Sequence, residues 1–273
     1  MLASATPAVA AHSSHGGGGG SASATGLDVS WPQCGSSLPT STGFAIVGIT
    51  GGLANDLNPC LAPSLSYPSY TQSELYWAEA SAAGTSTQPP VSLYVNTADP
   101  GNSYNGTPIT DWPTQSISSD PYPPCATVTG SSLGANSDGC AWQYGYDKAT
   151  QNVQWLTSAA ASLSGAKTTN PIPVSASDYP WWLDVETANS WQADTSMNVA
   201  DLQGMIAGFN AQGVSNVGVY STSYQWGQIT GGTTSSTPGL GAIPDWIPGA
   251  RSQKAAASNC GLASFTYGKV VLT

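Results

Sequence analysis

The sequence predicts an α/β fold built around a parallel sheet or barrel, and three observations support this. The chain has 273 residues, which fits one α/β barrel of about 250 residues. Apolar runs of strand length alternate with segments of helical pattern through the fifth strand, and such alternation is typical of parallel sheets. Beyond the fifth strand, the pattern runs from strand to strand with no long helix between them.

The first strand is predicted over residues 27–30. A continuous apolar run, FAIVGI, occupies residues 44–49 and predicts a buried parallel strand. It ends in a tight turn at residues 50–52. The first helix is predicted over residues 73–83, where Gly84 stops it.

The third strand, VSLYVN, covers residues 91–96. A segment rich in Pro, Gly and Ser follows over residues 98–140 and holds two cysteines. Because loops of this length are usually functional or disordered, we interpret it as an ordered loop over the mouth of the site. A helix with one apolar face is predicted over residues 142–164, and the fourth strand over residues 181–186.

A helix over residues 198–212 leads to the fifth strand at residues 217–222. A short helix begins at Tyr224. Two late strands are predicted over residues 246–248 and 269–272. Strands and helices therefore alternate up to the fifth strand, and strands alone follow.

Residues 1–25 are predicted to precede the folded domain. Residues 8–10 resemble a signal-peptidase site of the A-x-A type, which indicates a signal-peptide remnant. The glycine run at residues 16–20 predicts a flexible linker. We expect a single barrel domain over residues 26–273. Because the chain stops inside the apolar run at residues 270–273, we expect the last strand or strands of that domain to be missing.

The composition excludes several functions. Charged residues make up 7% of the chain, and the net charge is -10, so there is no basic surface for nucleic acid or anionic lipid. No stretch approaches the ~20 apolar residues that span a membrane. Low charge together with ten Trp and twelve Tyr favours a secreted protein that handles carbohydrate, although aromatic residues also fill cores. We expect a monomer.

Histidine chemistry is excluded as well. His12 and His15 are the only histidines, and both lie before the predicted domain. A Ser-His-Asp triad and a histidine metal site therefore do not fit this chain, and the cysteine spacings do not match zinc motifs. We expect no metal and no cofactor.

Five cysteines in an exported chain predict disulfides. The candidates are Cys34, Cys60, Cys125 and Cys140, and the sequence leaves their pairing open. Cys260 is left over, and the simplest explanation is a partner beyond residue 273.

Two acidic residues at the end of the fourth strand are the main candidates for catalysis. Asp184 and Glu186 are two residues apart and follow the apolar Trp181 and Trp182. Side chains at positions i and i+2 of a strand point to the same face, so both would line one wall of a site. Two carboxyls that cannot both ionise freely acquire different pKa values, which divides acid and base roles. The alternative is a pair of solvated acids at a surface strand end.

Reactive groups of a parallel barrel lie at the carboxyl ends of its strands. The further candidates at these ends are Asp28, Asn96, Tyr220, Trp246 and, beside the first strand, Trp31. This set is typical of a glycoside hydrolase. Glu186 would be the general acid, and Asp184 or Asp28 would stabilise positive charge on the sugar.

Four motifs, in order along the chain, resemble glycoside hydrolase family 25, the Chalaropsis-type lysozymes. Residues 26–31 (GLDVSW) resemble the opening of that family, and residues 183–186 (LDVE) match its acidic strand. Residues 219–222 (VYST) and 245–247 (DWI) resemble two later segments. Within that family, the chain resembles the glycoside-hydrolase-like domain of secreted actinobacterial proteins, which begins DVSWPQC.

The resemblance implies a flattened TIM-like barrel of five β/α units followed by three strands, (β/α)5(β)3. It implies cleavage of the β-1,4 bond between N-acetylmuramic acid and N-acetylglucosamine in peptidoglycan. By resemblance, Glu186 is the proton donor, Asp184 stabilises charge or orients the acetamido group of the substrate, and Asp28 lines the same pocket.

The sequence departs from the family where the second strand ends. Residues 50–52 lack the Lys and Glu of the family pattern, and a carboxylate that normally follows the last strands is not in this chain. Two alternatives therefore remain open. One is a non-catalytic domain that binds envelope glycan on the same barrel, and the other is a hydrolase of a different polysaccharide.

Overall fold

A computed structural model describes residues 8–12, 24–100 and 112–273. These residues form an α/β fold with one sheet, in which the strands follow one another in chain order. The strands are β1 (Ala8–His12), β2 (Ala24–Val29), β3 (Ala45–Gly48), β4 (Val91–Asn96), β5 (Trp181–Asp184), β6 (Val217–Tyr220), β7 (Asp245–Trp246) and β8 (Val270–Leu272). From β2 to β8 each strand is parallel to the next, and this part of the sheet is curled.

β1 lies within the segment for which the sequence predicts a leader and a linker. Its backbone pairs antiparallel with β2, from Ala8 opposite Asp28 to His12 opposite Ala24. β1 also approaches β8. The two ends of the curled parallel sheet therefore lie on either side of β1.

A helix follows each strand from β3 to β6, as the sequence predicts. They are α1 (Glu74–Ser81), α2 (Asp138–Ser162), α3 (Thr195–Ala211), α4 (Ser223–Thr230) and α5 (Gln253–Asn259). Each helix begins after a Ser, Asp or Thr whose side chain accepts a backbone N–H of the first turn, which is a favourable N-cap. α5 lies between the two late strands and is a short addition to the predicted order.

Each central strand separates two apolar layers. In β5, Trp181 and Leu183 belong to the main core between sheet and helices, whereas Trp182 belongs to a smaller cluster inside the curl. β4 alternates in the same way, with Leu93 in the main core and Tyr94 inside the curl. This period of two follows from strand geometry, and it directs the polar strand-end residues of the same face into the curl.

The inner layer depends on glycines opposite large rings. Tyr94 and Trp182 are neighbours in register, with Gly48 and Gly218 on either side of them. A Cβ on Gly48 would lie 2.6 Å from the Tyr94 ring, and one on Gly218 would lie 2.4 Å from the Trp182 ring. Contacts this close do not occur, so glycine is required at both positions for the rings to lie across the sheet.

Four cysteines form two disulfides, Cys34–Cys60 and Cys125–Cys140. Cys260 is a free thiol among the described residues. In the same part of the chain, no helix has both the length and the apolarity needed to cross a membrane.

The described part of the loop between β4 and α2 does not lie where the sequence predicts it, over the mouth of the site. Its described part begins at Trp112, which packs with the Cys125–Cys140 disulfide, Tyr144 and Met197 in a third apolar cluster against α2 and α3. None of these residues lines the cavity at the strand ends. The expectation of a loop over the mouth of the site was therefore wrong for this part, and residues 101–111 lie outside the described residues.

Candidate active site

A cavity of about 130 Å³ opens at the carboxyl ends of the parallel strands. Its lining residues are Asp28, Ser30, Trp31, Gly52, Tyr94, Asn96, Asp184, Glu186, Ala188, Asn189, Tyr220 and Trp246. All seven residues that the sequence nominates for catalysis or substrate binding are in this set. The structure thus brings them together, while their roles stay predictions.

Strand register explains why four of these residues meet. Asn96 pairs with Asp184, Asp184 with Tyr220, and Tyr220 with Trp246 across β4 to β7. Residues in register on parallel strands lie side by side on one face of the sheet. The four side chains therefore form one row across the floor of the cavity.

Asp184 is a buried carboxyl at the end of β5, on the floor of the cavity. Asn96 Nδ2 donates to its Oδ2 over 2.5 Å, and its Oδ1 is buried without a hydrogen-bond partner among the described residues. Burial raises the pKa of Asp184 well above its usual range, the nearby Glu186 and Asp28 raise it further, and the Asn96 hydrogen bond opposes them. Asp184 therefore stays protonated to a higher pH than an ordinary aspartate.

Asn96 is held in one orientation by Thr50. The Thr50 hydroxyl donates to Asn96 Oδ1 over 2.9 Å and accepts the Asn96 backbone N–H over 2.8 Å. The Asn96 Oδ1 is thereby occupied, and its Nδ2 faces Asp184. Thr50, where the sequence lacks the expected charged residues, thus acts on the site through Asn96.

Asp28 approaches the cavity from β2. Ser30 Oγ donates to its Oδ2 over 2.6 Å, and its Oδ1 is buried with no partner in the described parts of the chain. Burial raises the pKa of Asp28 to about 7, the Ser30 hydrogen bond opposes this, and the negative charge of Glu186 adds to it. Asp28 and Asp184 thus each have one buried carboxyl oxygen without a hydrogen-bond partner among the described residues.

Glu186 lies two residues beyond the end of β5, because the strand stops at Asp184 instead of continuing to residue 186 as predicted. Its side chain is only partly buried. Burial raises its pKa, and a hydrogen bond from Gln225 lowers it. Gln225 Oε1 also accepts the Thr187 backbone N–H over 2.7 Å, so α4 supports the segment that carries Glu186.

Aromatic side chains form the remaining walls. Tyr220 and Trp246 contact each other edge to face, with ring centroids 4.5 Å apart. Trp246 is buried, whereas Trp31 is 46% exposed at the rim. Gly52 has φ +101°, and a Cβ there would lie 2.4 Å from the Trp31 ring. The Trp31 ring therefore lies directly against the Gly52 backbone.

Several lining residues were missed by the sequence analysis. Tyr94 could have been found, because it precedes Asn96 by two positions on β4 and shares its face. Its hydroxyl donates to the Ser30 carbonyl over 2.8 Å. Asn189 Nδ2 donates to the Asp184 carbonyl over 3.3 Å. Because Asn189 lies in a loop, no sequence pattern indicates that it lines the cavity.

No group of three or more His, Cys, Asp or Glu side chains within residues 8–12, 24–100 and 112–273 is arranged to hold a metal ion. The described polar groups of the cavity are instead carboxyls, amides and hydroxyls. Such groups can bind a polyhydroxylated ligand and transfer protons to it.

Comparisons with known proteins agree with this chemistry. A family model described as Lysozyme-like protein 1 matches residues 174–240, which include Asp184, Glu186 and Tyr220. A segment of 53 residues is 43% identical to the protein named "Probable GH family 25 lysozyme 4" of Dictyostelium discoideum, over 19% of this chain and 24% of that protein. The chain is also 42% identical over 53 residues to "Probable GH family 25 lysozyme 2" of that organism, over 19% of this chain and 24% of that relative.

The match to these curated relatives spans about a quarter of their length. No solved structure matches the chain. Asp28, Trp31 and Trp246 lie outside the segment matched by the family model. The part of the chain that carries Asp184 and Glu186 is thus similar to lysozyme-like proteins.

Proposed function

We propose that this chain is a secreted lysozyme-type glycoside hydrolase that cleaves the β-1,4 bond between N-acetylmuramic acid and N-acetylglucosamine in peptidoglycan. One observation carries the proposal: Asp28, Asp184 and Glu186 face a single aromatic-walled cavity and differ in burial and hydrogen bonding. Carboxyls in unequal environments divide the acid and charge-stabilising roles of glycoside hydrolysis.

Glu186 is the proton donor in this proposal. It is the least buried of the three carboxyls, so it can reach a substrate that enters from solvent. Its raised pKa keeps it protonated at higher pH than an ordinary glutamate, which a general acid requires. Gln225 supports its segment through Thr187.

Asp184 and Asp28 act on the sugar from the floor of the cavity. Asp184 Oδ1 is buried without a hydrogen-bond partner in the described chain, and in this proposal Asp184 accepts the acetamido N–H of the substrate or stabilises positive charge at the sugar. Asp28 Oδ1 is likewise buried without a partner there. Because Glu186 and Asp28 both raise the pKa of Asp184, ionisation of one of these carboxyls disfavours ionisation of Asp184.

We assign the chain to glycoside hydrolase family 25, in its actinobacterial glycoside-hydrolase-like form, with a (β/α)5(β)3 barrel. Trp31, Tyr220 and Trp246 provide ring faces and edges for sugar binding. The two disulfides support export, because disulfides persist in oxidising compartments.

The test is release of reducing ends from purified peptidoglycan, with wild type compared to Glu186→Gln. Circular dichroism confirms that both proteins are folded. Release by wild type and its loss in Glu186→Gln support the proposal, because this change removes an ionisable proton and little volume. Equal release by both proteins would exclude Glu186 as the acid. Chitin and a plant β-glucan serve as parallel substrates and test for a hydrolase of another polysaccharide.

One observation favours a second function, binding of envelope glycan without cleavage. The turn after β3 presents Thr50 to Asn96 and Gly52 to Trp31, and it places no charged side chain in the cavity. A folded wild type that sediments with peptidoglycan and releases no reducing ends would support this function. Loss of sedimentation in Trp31→Ala would locate the binding at this cavity.

A further inference from the structure

Glu74 is a buried carboxyl at the start of α1 that the sequence analysis treats only as part of a helix. An acidic residue in the first helical turn interacts favourably with the helix dipole from an exposed position. Glu74 is instead only 1% exposed. Burial raises its pKa to about 7, hydrogen bonds from Gln33 and Asn58 oppose this, and Asp28 adds to it. Burial of a carboxyl is unfavourable unless hydrogen bonds compensate for the lost solvation, so the partners of Glu74 are informative.

Both oxygens of Glu74 accept hydrogen bonds, and the donors belong to different segments. The Gln33 backbone N–H donates to Oε1 over 2.6 Å, and Asn58 Nδ2 donates to Oε2 over 2.7 Å. Gln33 follows β2, whereas Asn58 follows β3. Glu74 therefore joins the two segments that leave neighbouring strands at the site.

Asn58 and the first disulfide reinforce the same connection. Asn58 Nδ2 also donates to the Gly48 carbonyl over 2.8 Å, and Asn58 Oδ1 accepts the Cys60 backbone N–H over 2.8 Å. Cys60 is bonded to Cys34. The segment after β2 is thus held at two adjacent residues: Gln33 donates a hydrogen bond to Glu74, and Cys34 forms the disulfide with Cys60.

The contact between Trp31 and Gly52 lies between these two segments. Trp31 is two residues before Gln33, and Gly52 belongs to the turn that leads to Asn58. Since 46% of Trp31 is exposed, its own packing restrains it little. We propose that Glu74 is a positioning residue that fixes the Trp31 ring against Gly52 as a wall of the cavity. The consequence for catalysis rests on the function proposed above.

Hydroxyl-radical footprinting with mass spectrometry tests the positioning directly, without substrate. Glu74→Gln leaves one of the two N–H donors without an acceptor, so the Trp31 segment loosens. Since 46% of Trp31 is already exposed, its full release raises the oxidation rate about twofold. Trp181, which is fully buried, is the internal reference. An unchanged Trp31 rate in folded Glu74→Gln would overturn the proposal.

Glu79→Gln is the matched control. Glu79 lies on the same helix, is 2% exposed, has its pKa raised to about 7 by burial, and accepts a hydrogen bond from the Tyr179 hydroxyl over 3.0 Å. Within the described residues, its side chain has no hydrogen bond to either segment beside the site. We expect no change in Trp31 oxidation in this variant. An equal rise of the Trp31 oxidation rate in both variants would indicate a general loss of stability and would contradict the proposal.

Two further measurements keep the proposal testable if Glu74→Gln does not fold. In wild type, the Gln33 amide should exchange with solvent at least tenfold more slowly than an unprotected amide, because Glu74 is its acceptor, and unprotected exchange would refute the proposal. Glu74→Asp keeps the charge but is one methylene shorter, so it cannot hold both donors. It should increase Trp31 oxidation, and wild-type oxidation in this variant would count against the proposal.

A kinetic comparison then tests the consequence for catalysis. Glu74→Gln should raise KM about tenfold and change kcat less than twofold, and Trp31→Ala should do the same. The double variant should show no further rise, because both changes remove one interaction. Additive effects, or a lower kcat at constant KM, would overturn the inference. Absence of hydrolysis by wild type would reject the proposed function and leave the footprinting result to judge the role of Glu74.

Discussion

Asn96 and Asp184 occupy register positions opposite each other on neighbouring parallel strands, and Asn96 Nδ2 donates to Asp184 Oδ2 over 2.5 Å. The Thr50 hydroxyl donates to the other end of the Asn96 amide, over 2.9 Å. This short chain of bonds occupies Oδ2 of Asp184 and leaves its Oδ1 without a hydrogen-bond partner among the described residues. A neutral threonine thereby controls the environment of a carboxyl that it does not touch.

Thr50→Val should destabilise the protein by about 1–3 kcal/mol, because it removes the donor to Asn96 Oδ1 and leaves buried polar atoms unpaired. The measurement is the free energy of unfolding in denaturant. The control is Thr157→Val, which removes an exposed hydroxyl that bonds to the Val153 carbonyl. We expect a change within about 0.5 kcal/mol there, and equal losses in both variants would contradict the role of Thr50.

Asp184→Asn should reduce hydrolysis less than Glu186→Gln does. Loss of a general acid costs about 10²–10⁴ in rate, whereas the proposed role of Asp184 is to orient the substrate or stabilise charge. The measurement is kcat/KM for peptidoglycan fragments over a range of pH. The alkaline limb of the wild-type profile should reflect the raised pKa of Glu186 and disappear in Glu186→Gln. Full activity in both variants would reject the assignment.

The stability of the protein should fall as pH rises from about 5 to about 8. Burial raises the pKa of Asp28, Glu74 and Glu79 to about 7. A carboxyl whose folded pKa is raised stabilises the fold fully below its unfolded pKa, and this contribution is lost as pH rises through the folded pKa. Each pKa unit corresponds to about 1.4 kcal/mol, so we expect each of the three carboxyls to contribute a loss on the order of a few kcal/mol.

Denaturant unfolding at several pH values checks this slope, and Glu79→Gln isolates one contribution. The Tyr179 hydroxyl can still donate to a glutamine oxygen, whereas the titration at position 79 is gone. The variant should lose less stability than wild type between pH 5 and pH 8. A stability of wild type that rises over this range would show that the carboxyls are not buried in the way described.

The Cys125–Cys140 disulfide should stabilise the fold without affecting the cavity. Its cysteines are 15 residues apart, and closing a loop of that length is worth about 3 kcal/mol in the chain-entropy estimate. Replacing both cysteines with serine should lower the free energy of unfolding by about this amount. Glycan affinity should stay the same, because this disulfide belongs to the cluster on α2 and α3.

Removing Cys34–Cys60 in the same way provides the contrast. That disulfide connects the two segments beside Trp31, so its loss should reduce both stability and glycan affinity. Unfolding in denaturant and titration with oligosaccharide distinguish the two effects. Equal glycan affinity in the two disulfide variants would contradict this difference.

Much of the site could be predicted because it depends on local pattern and on one property of parallel sheets. The run VSLYVN predicts a strand over residues 91–96, and β4 is Val91–Asn96. The carboxyl ends of parallel strands meet at one edge, so Asn96, Asp184 and Tyr220 could be grouped from their positions at strand ends. The periodicity of the side chains directs them to one face.

Glu74 shows what the sequence could not predict. Its partners lie 41 and 16 residues away, and a glutamate in the first turn of a helix already has a sufficient local explanation. The loop whose described part begins at Trp112 was misplaced for a related reason. Its cysteines indicate order, but the surface on which it packs is set by α2 and α3, far along the chain.

Gly52→Ala should weaken glycan binding as strongly as Trp31→Ala does. The alanine Cβ would lie 2.4 Å from the Trp31 ring, so the ring must leave its place at the cavity. A positive φ also strains any L residue at position 52. Gly232→Ala separates the two effects, because Gly232 has a similar φ of +94° and nothing within 4 Å of an added Cβ.

Both glycine variants should lose about 1 kcal/mol of stability from backbone strain. Only Gly52→Ala should raise the Kd for oligosaccharide, by about tenfold, which corresponds to about 1.4 kcal/mol. Isothermal titration with N-acetylglucosamine oligomers and peptidoglycan fragments measures this difference. If Gly52→Ala binds like wild type, Trp31 does not contact the glycan; if Gly232→Ala binds as weakly as Gly52→Ala, strain alone accounts for the loss.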